Sequence, residues 1–279
     1  MPVSLLLCEG GNNSPDARLL GKLLAGLCEI RPMGGKYGMG ERIKARREVI
    51  GENAVFGLLD GDFQENWEQP QNRPRDWIIR GNENEILLGW RWERKEIENY
   101  LIDPVVVQRS LGKQAPGEGE YQQALESARD EIAVYQAARV ALSACRPRFR
   151  DLPSSFGKPR GKEKHTFPDE LHEEACRAGL ETVVAGHQDS QLVTVEQVNE
   201  KFEELLPEFQ PNGERFQHFL SAFAGKDLLW AMNGWCAGNG FNGAWSFREK
   251  ILIGISRTDT NVWEWLPEWR ALREAVSGL

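Results

Sequence analysis

The chain lacks any run approaching the roughly 18 apolar residues that a membrane-spanning helix requires, which argues against that class of membrane protein. It also lacks a Cys-x-x-Cys pair. Its five cysteines, Cys8, Cys28, Cys145, Cys176 and Cys236, are odd in number and widely spaced, which speaks against a disulfide framework and against a zinc ribbon. His172 and Cys176 stand four apart on an expected helix and form half a zinc site at most. No second half follows, so two ordinary helix residues are the better reading. No basic leader precedes the short apolar run Val3 to Leu7, and the cytoplasm is the expected compartment. No internal repeat is visible. Gly34-Gly35-Lys36-Tyr37 is not a Walker A, because the upstream spacing fails and no Ser or Thr follows the lysine. Any ATP hydrolysis would therefore belong to a partner subunit. Finally, an excess of positive charge is missing: 34 basic residues face 42 acidic ones, for a net charge of -8. A generic polyanion binder is excluded, and nucleic acid would have to be met through local basic patches.

What is present suffices for one large domain or two small ones: 279 residues, of which 41% are hydrophobic. Val3 to Leu7 reads as a buried strand. Ser14 and Pro15 begin a helix as N-cap and first residue, and Leu19, Leu20, Leu23, Leu24 and Leu27 form its apolar stripe. Further strands are expected at Cys28 to Met33, Ala54 to Leu59 and Ile86 to Trp90, and a basic helix at Glu41 to Ile50. Residues 64–76 read as a surface loop, and Glu93 to Leu101 as a helix stopped by Asp103-Pro104. This alternation predicts an α/β fold over residues 1–104, a mainly parallel sheet flanked by helices. Residues 105–279 read as a mostly α-helical region. Helices are expected along Tyr121 to Leu142, Val195 to Leu206, Arg215 to Ala224, Ser246 to Ile255 and Trp263 to Val276, with a polar loop at Arg146 to Lys164. Six tryptophans, Trp230, Trp235, Trp245, Trp263, Trp265 and Trp269, crowd the second half, where packing is a better expectation than base stacking.

Three acidic features stand out. Glu9 follows the first strand and precedes Gly10-Gly11, Asp60 and Asp62 flank Gly61 at the end of another strand, and Glu96 and Glu98 follow the fourth. In a parallel sheet the loops after the strand C-termini share one edge, where ligands collect. Carboxylates two apart on an extended segment point the same way. Mg²⁺ prefers such hard oxygens, and two ions about 4 Å apart can clamp a phosphodiester. Without cations, clustered acids repel one another and rise in pKa, a cost that favours a functional reason for the cluster. Asp-Gly alone is an ordinary turn signal, so the order of all three features carries the inference.

Leu-Leu-Leu-Cys8-Glu9-Gly10 and Leu-Leu-Asp60-Gly61-Asp62 resemble the two signature motifs of the TOPRIM fold, shared by topoisomerases, primases and OLD-family nucleases. Lys95-Glu96-Ile97-Glu98-Asn99-Tyr100-Leu101 resembles a signature of TOPRIM-like proteins that accompany ABC-type or OLD-like ATPases, and Gly225-Lys226-Asp227-Leu228-Leu229 looks like their late Gly-Lys motif. Among that group are nuclease effectors of two-component anti-phage systems of the PARIS type. The resemblance covers residues 3–104, then resumes near residue 225. It implies a Mg²⁺- or Mn²⁺-dependent endonuclease acting on RNA such as tRNA, or on DNA. Glu9 would hold one metal and take part in proton transfer; Asp60 and Asp62 would hold the other. Glu98, or alternatively Glu96, would complete the cluster, and Lys226 would stabilise negative charge at the phosphate. Asp16, seven residues after Glu9, departs from the usual closer spacing of the second acid. An ATPase partner and a homodimer are implied as well, and no membrane.

Two basic patches are candidates for the phosphate backbone. One contains Lys36, Arg42, Lys44, Arg46 and Arg47; the other contains Lys158, Arg160, Lys162 and Lys164. A solvated face is the plainer reading of either. Two other functional readings compete with the nuclease. One is a non-catalytic interaction or sensor subunit that keeps the fold. The other is a different phosphoryl-transfer enzyme, such as a primase-like protein or a small-phosphoester hydrolase.

Overall fold

A computed structural model describes residues 3–62, 66–80, 84–146, 155–160 and 165–278. The first strand, β1 (Leu5–Cys8), is buried at all four positions, as a strand covered on both faces must be. Ser14 then caps α1 (Pro15–Leu23) by accepting a hydrogen bond from the Ala17 N–H. There follow β2 (Glu29–Pro32), α2 (Met39–Ile50), β3 (Val55–Leu59), β4 (Arg75–Arg80) and β5 (Glu85–Arg91). The five strands form one sheet in the order β2-β1-β3-β5-β4. All pairs are parallel except β4 with β5.

The strand alternation divides two packed layers. Leu6, Cys8, Phe56 and Leu58 face the larger cluster, with α1 beneath them. Leu5, Leu7, Val55 and Leu59 face a smaller one built on Met39 and Ile43 of α2. Gly57 of β3 is required by that second layer, because a Cβ there would stand 2.8 Å from both Ile43 and Trp77.

Strand β4 takes the last two residues of the expected loop, Arg75 and Asp76, and runs on to Arg80, where no element is expected. It is an edge strand whose residues alternate between half-buried and exposed, and its apolar run, Trp77-Ile78-Ile79, is only three residues long between charged ends, too short to mark a strand by itself. The helix expected from Glu93 is shorter: α3 (Ile97–Leu101) starts behind Glu96, which closes a capping box with Asn99. Asp103-Pro104 does stop α3, but it also starts α4 (Pro104–Leu111), with Asp103 accepting from the Val105 N–H at 2.9 Å.

Among the described residues, the regular elements that follow are helices apart from a small antiparallel pair, β6 (Lys158–Arg160) with β7 (His165–Phe167). The long helix α5 (Glu118–Ala144) is followed by α6 (Glu173–Gln191), α7 (Val195–Leu205), α8 (Glu214–Gln217) and α9 (Phe219–Ala222). Last come α10 (Gly225–Ala231), α11 (Asn233–Gly238), α12 (Ala244–Arg257) and α13 (Pro267–Ser277). The helix expected from Arg215 to Ala224 is thus two short ones, parted at His218, whose φ and ψ of -105° and 37° leave the helical region. In α5, within the helix expected from Tyr121 to Leu142, Tyr121, Leu125 and Ala128 are buried, whereas Tyr135 and Leu142 are exposed. There the buried face consists of Ala133, Gln136, Ala137, Val140 and Ala141. His172 is the N-cap of α6, accepting from the Ala175 N–H at 3.3 Å, and Cys176 lies in the helix's first turns.

The core does not divide at residue 104. A single cluster joins Leu6, Leu20 and Trp92 to Tyr121, Phe223, Phe247, Trp269 and Val276. The backbone joins the two ends as well, the Val3 N–H donating to the Val276 carbonyl at 3.1 Å.

Candidate functional site

The parallel pairing of β1, β2, β3 and β5 brings the loops after their C-termini to one edge of the sheet. The loop after β1 carries Glu9, tied to the loop after β2 by a two-way backbone bridge between Gly10 and Gly34 at 2.7 and 2.9 Å. Gly10 has φ +81°, and a Cβ there would fall 2.5 Å from the Ser14 hydroxyl, so only glycine permits the turn from β1 into the capped start of α1. That turn delivers Asp16, in the first turn of α1, to the same edge.

The loop after β3 carries Asp60, whose N–H donates to the Glu9 carboxylate at 3.4 Å. Gly61 follows in a close contact: its N–H donates to the Arg94 carbonyl at 3.3 Å, and a Cβ would stand 2.5 Å from that oxygen. Here the chain leaves the extended form. Asp62 has φ +54°, so the premise that Asp60 and Asp62 project together from a strand does not hold. The Asp62 carboxylate is instead ion-paired with Lys36 at 2.5 Å. It remains near enough to Glu9 to raise that group's pKa.

Glu96 and Glu98 enter from α3 and meet Lys226. The Lys226 ammonium lies 3.1 Å from Glu98 and 3.3 Å from Glu96, and its backbone N–H donates to Glu96 at 2.9 Å. Gly225 makes this meeting possible, because a Cβ at that position would lie 2.3 Å from the Asn99 nitrogen. Asn99 holds both sides of the contact, accepting from the Gly225 N–H at 3.0 Å and donating to the Phe223 carbonyl at 2.9 Å.

The electrostatics follow from burial and crowding. Burial, then the charge of Glu98, pushes Asp16 up to about 6. Asp60 is raised well above the usual carboxylate range by burial, then by Asp16 and Glu9. Glu9 is raised chiefly by burial. Burial pulls Lys226 down, but Glu98 and Glu96 outweigh it and hold the ammonium above its ordinary value. The mutual influence of Glu9, Asp16, Asp60, Glu96, Glu98 and Lys226 shows that they share one electrostatic environment.

Sequence reasoning missed Arg248 of α12. Its guanidinium lies 3.2 Å from Glu98 and 3.1 Å from Glu249, which also pairs with Arg18 at 2.6 Å. Nothing local marks an isolated arginine in an amphipathic helix, 150 residues from its partner, as part of a site.

The basic patches are mostly committed to other groups. Arg47 donates to the carbonyls of Val55 and Leu87 at 2.8 and 2.9 Å and lies over Phe56, so it fastens α2 to the sheet rather than offering a free charge. Lys44 pairs with Glu41, Arg42 donates to the Met33 carbonyl, and Arg46 is half-buried on the same helix. Lys36 belongs to the acidic edge. Lys158 pairs with Asp169 at 3.1 Å and Arg160 ends β6, while Lys162 and Lys164 lie outside the described residues.

A donor set made of carboxylate oxygens suits a hard divalent cation. Among the described residues neither Asp16 nor Asp60 has a cation within ion-pair distance, and both are raised in a way a divalent ion would relieve. The fit lies in the type and charge of the donors. Among the described residues no three His, Cys, Asp or Glu side chains are arranged as a finished ligand group. The six carboxylates at this edge face three cations, Lys36, Lys226 and Arg248. No family model and no curated protein matches this chain.

Proposed function

We propose that the protein is a Mg²⁺- or Mn²⁺-dependent nuclease of the TOPRIM type, cleaving phosphodiester bonds of RNA or DNA at the edge formed by Glu9, Asp16 and Asp60. The observation that carries the reading is the gathering of these acids at one edge, from the ends of two neighbouring parallel strands and the first turn of α1, where Asp16 and Glu9 both raise Asp60. Carboxylates gathered in this way repel a phosphate unless a cation lies between them. Glu9, Asp16 and Asp60 would supply the oxygens that hold it. A metal bound there contributes Lewis-acid stabilisation of the phosphoryl group and a more acidic water. Glu9, whose carboxylate also accepts from the Asp60 N–H, would hold the ion at the end of β1 beside Asp60. Lys226, kept charged by Glu96 and Glu98, presents a positive point charge to the developing phosphorane. Asp62 is assigned instead to holding Lys36 at the rim.

The earlier resemblance extends this proposal to a cytoplasmic effector of an anti-phage system, active as a homodimer and restrained by an ATPase partner. The test is cleavage of tRNA, single-stranded DNA and plasmid with Mg²⁺ by the wild type and by Asp60→Asn. We expect a loss of at least about a hundredfold in the variant, with an unchanged circular dichroism spectrum. Equal cleavage by the two proteins rejects the assignment.

One observation favours a second reading, a non-catalytic interaction subunit: Lys226 and Arg248 already neutralise Glu98 from within the fold. Calorimetry separates the two. The nuclease binds Mn²⁺ in an Asp60-dependent manner, and the interaction subunit has no reason to.

A further inference from the structure

Single exposed apolar side chains are ordinary on a protein surface, whereas contiguous ones mark binding sites. Of the six tryptophans in the second half, Trp265 and Trp269 are core, and Trp235 and Trp263 are partly buried against it. Trp230 and Trp245 differ, with 60% and 43% of their surface exposed. Their ring centroids lie 6.4 Å apart with the planes inclined at 42°, so they form one aromatic platform and not two separate side chains.

The platform adjoins the acidic edge through two independent connections. Trp230 lies four residues beyond Lys226 on α10, hence on the same face of that helix. Arg248 places its guanidinium 4.7 Å from the Trp245 ring centroid while bonding to Glu98 at 3.2 Å, so one side chain links the aromatic pair to the carboxylates. A cation on the face of tryptophan is itself stabilising, and it fixes the ring in place.

Resting on the nuclease reading above, we propose that Trp230 and Trp245 stack on an unpaired nucleobase adjacent to the phosphate at the acidic edge, making the substrate a single-stranded or locally unpaired nucleic acid. Exposed tryptophans also anchor protein interfaces. What favours a base here is position: the platform is contiguous with a site proposed for phosphate, and every base offers a flat π-face to it regardless of sequence. The bases of an intact duplex are already stacked on each other and cannot reach the platform.

The test measures binding of a short fluorescein-labelled oligothymidylate by anisotropy, with Ca²⁺ replacing Mg²⁺ so that the strand remains whole. Trp230→Ala and Trp245→Ala should each weaken it about tenfold, the scale of one lost base–aromatic stack. Trp230→Phe should retain most of the affinity, which also guards against a folding artefact. A strand of abasic sites and a blunt duplex should bind the wild type as weakly as Trp230→Ala binds the intact strand. Equal affinity of wild type and Trp230→Ala, equal affinity for the abasic strand, or no binding of any strand overturns the proposal. Its failure is distinguishable from failure of the nuclease reading. Tryptophan-dependent binding without cleavage in Mg²⁺ sinks only the catalytic assignment, and cleavage that ignores both tryptophans sinks only this one.

Discussion

Glu268 of α13 is fully enclosed, and its carboxylate accepts from the Tyr100 hydroxyl at 2.6 Å and the Glu93 N–H at 2.8 Å. Burial pushes its pKa up to about 7 in spite of these two bonds. The folded state therefore holds a proton that the unfolded chain, at the usual value of 4.5, gives up earlier. Stability contributed by this group is complete below about pH 4.5 and declines as pH rises to about 7, by roughly 3 kcal/mol in all. Glu268→Gln keeps one oxygen for the Glu93 N–H, turns its NH2 toward the Tyr100 hydroxyl oxygen, which can accept, and removes the titration. We expect urea midpoints measured at pH 5 and pH 8 to differ less in the variant than in the wild type. An unchanged difference would mean that Glu268 does not titrate in this range.

Among the elements, α10 is short and is placed by a glycine contact. The Cβ of a Gly225→Ala variant would enter the Asn99 backbone and side chain, so α10 must shift away from α3. The expected cost is about 2 kcal/mol, the scale of an overpacked contact, accompanied by loss of cleavage because Lys226 moves with the helix. Gly234 of α11 has open space around its Cβ position, and Gly234→Ala should be neutral or stabilising by up to about 1 kcal/mol. Denaturation of both variants checks the pair. If Gly225→Ala is as stable as the wild type, α10 is not positioned by this contact.

For the whole molecule, the sheet is only half of the fold. Its larger buried face is covered by helices contributed from residues after 104, including Phe223, Phe247 and Trp269. A fragment of residues 1–104 would keep α1 but lose the remaining cover of the cluster to which Leu6, Leu20, Phe56, Leu58 and Trp92 belong. We expect it to lack cooperative thermal unfolding and to bind a hydrophobic dye, whereas the full chain unfolds in one transition. A fragment that melts cooperatively would show that the first 104 residues carry a self-sufficient core.

Much of this was legible in the chain itself. The continuous apolar runs of β1 and β3, the Ser14-Pro15 helix start and the glycines beside Glu9 and Asp60 are local features, and local sterics and hydrogen bonding decide them. Parallel pairing then follows from strand–helix alternation, and with it the meeting of Glu9 and Asp60 at one edge. Other features depended on contacts across the fold. The strand character of β4 comes from pairing with β5, not from its own apolarity. Asp62 departs from Asp60 because Lys36 holds it and the backbone turns at +54°. Arg248, and the difference between tryptophans that fill the core and those left on the surface, were settled by where α12 and α10 pack, since a side chain's exposure and charge partner are properties of its neighbours in space.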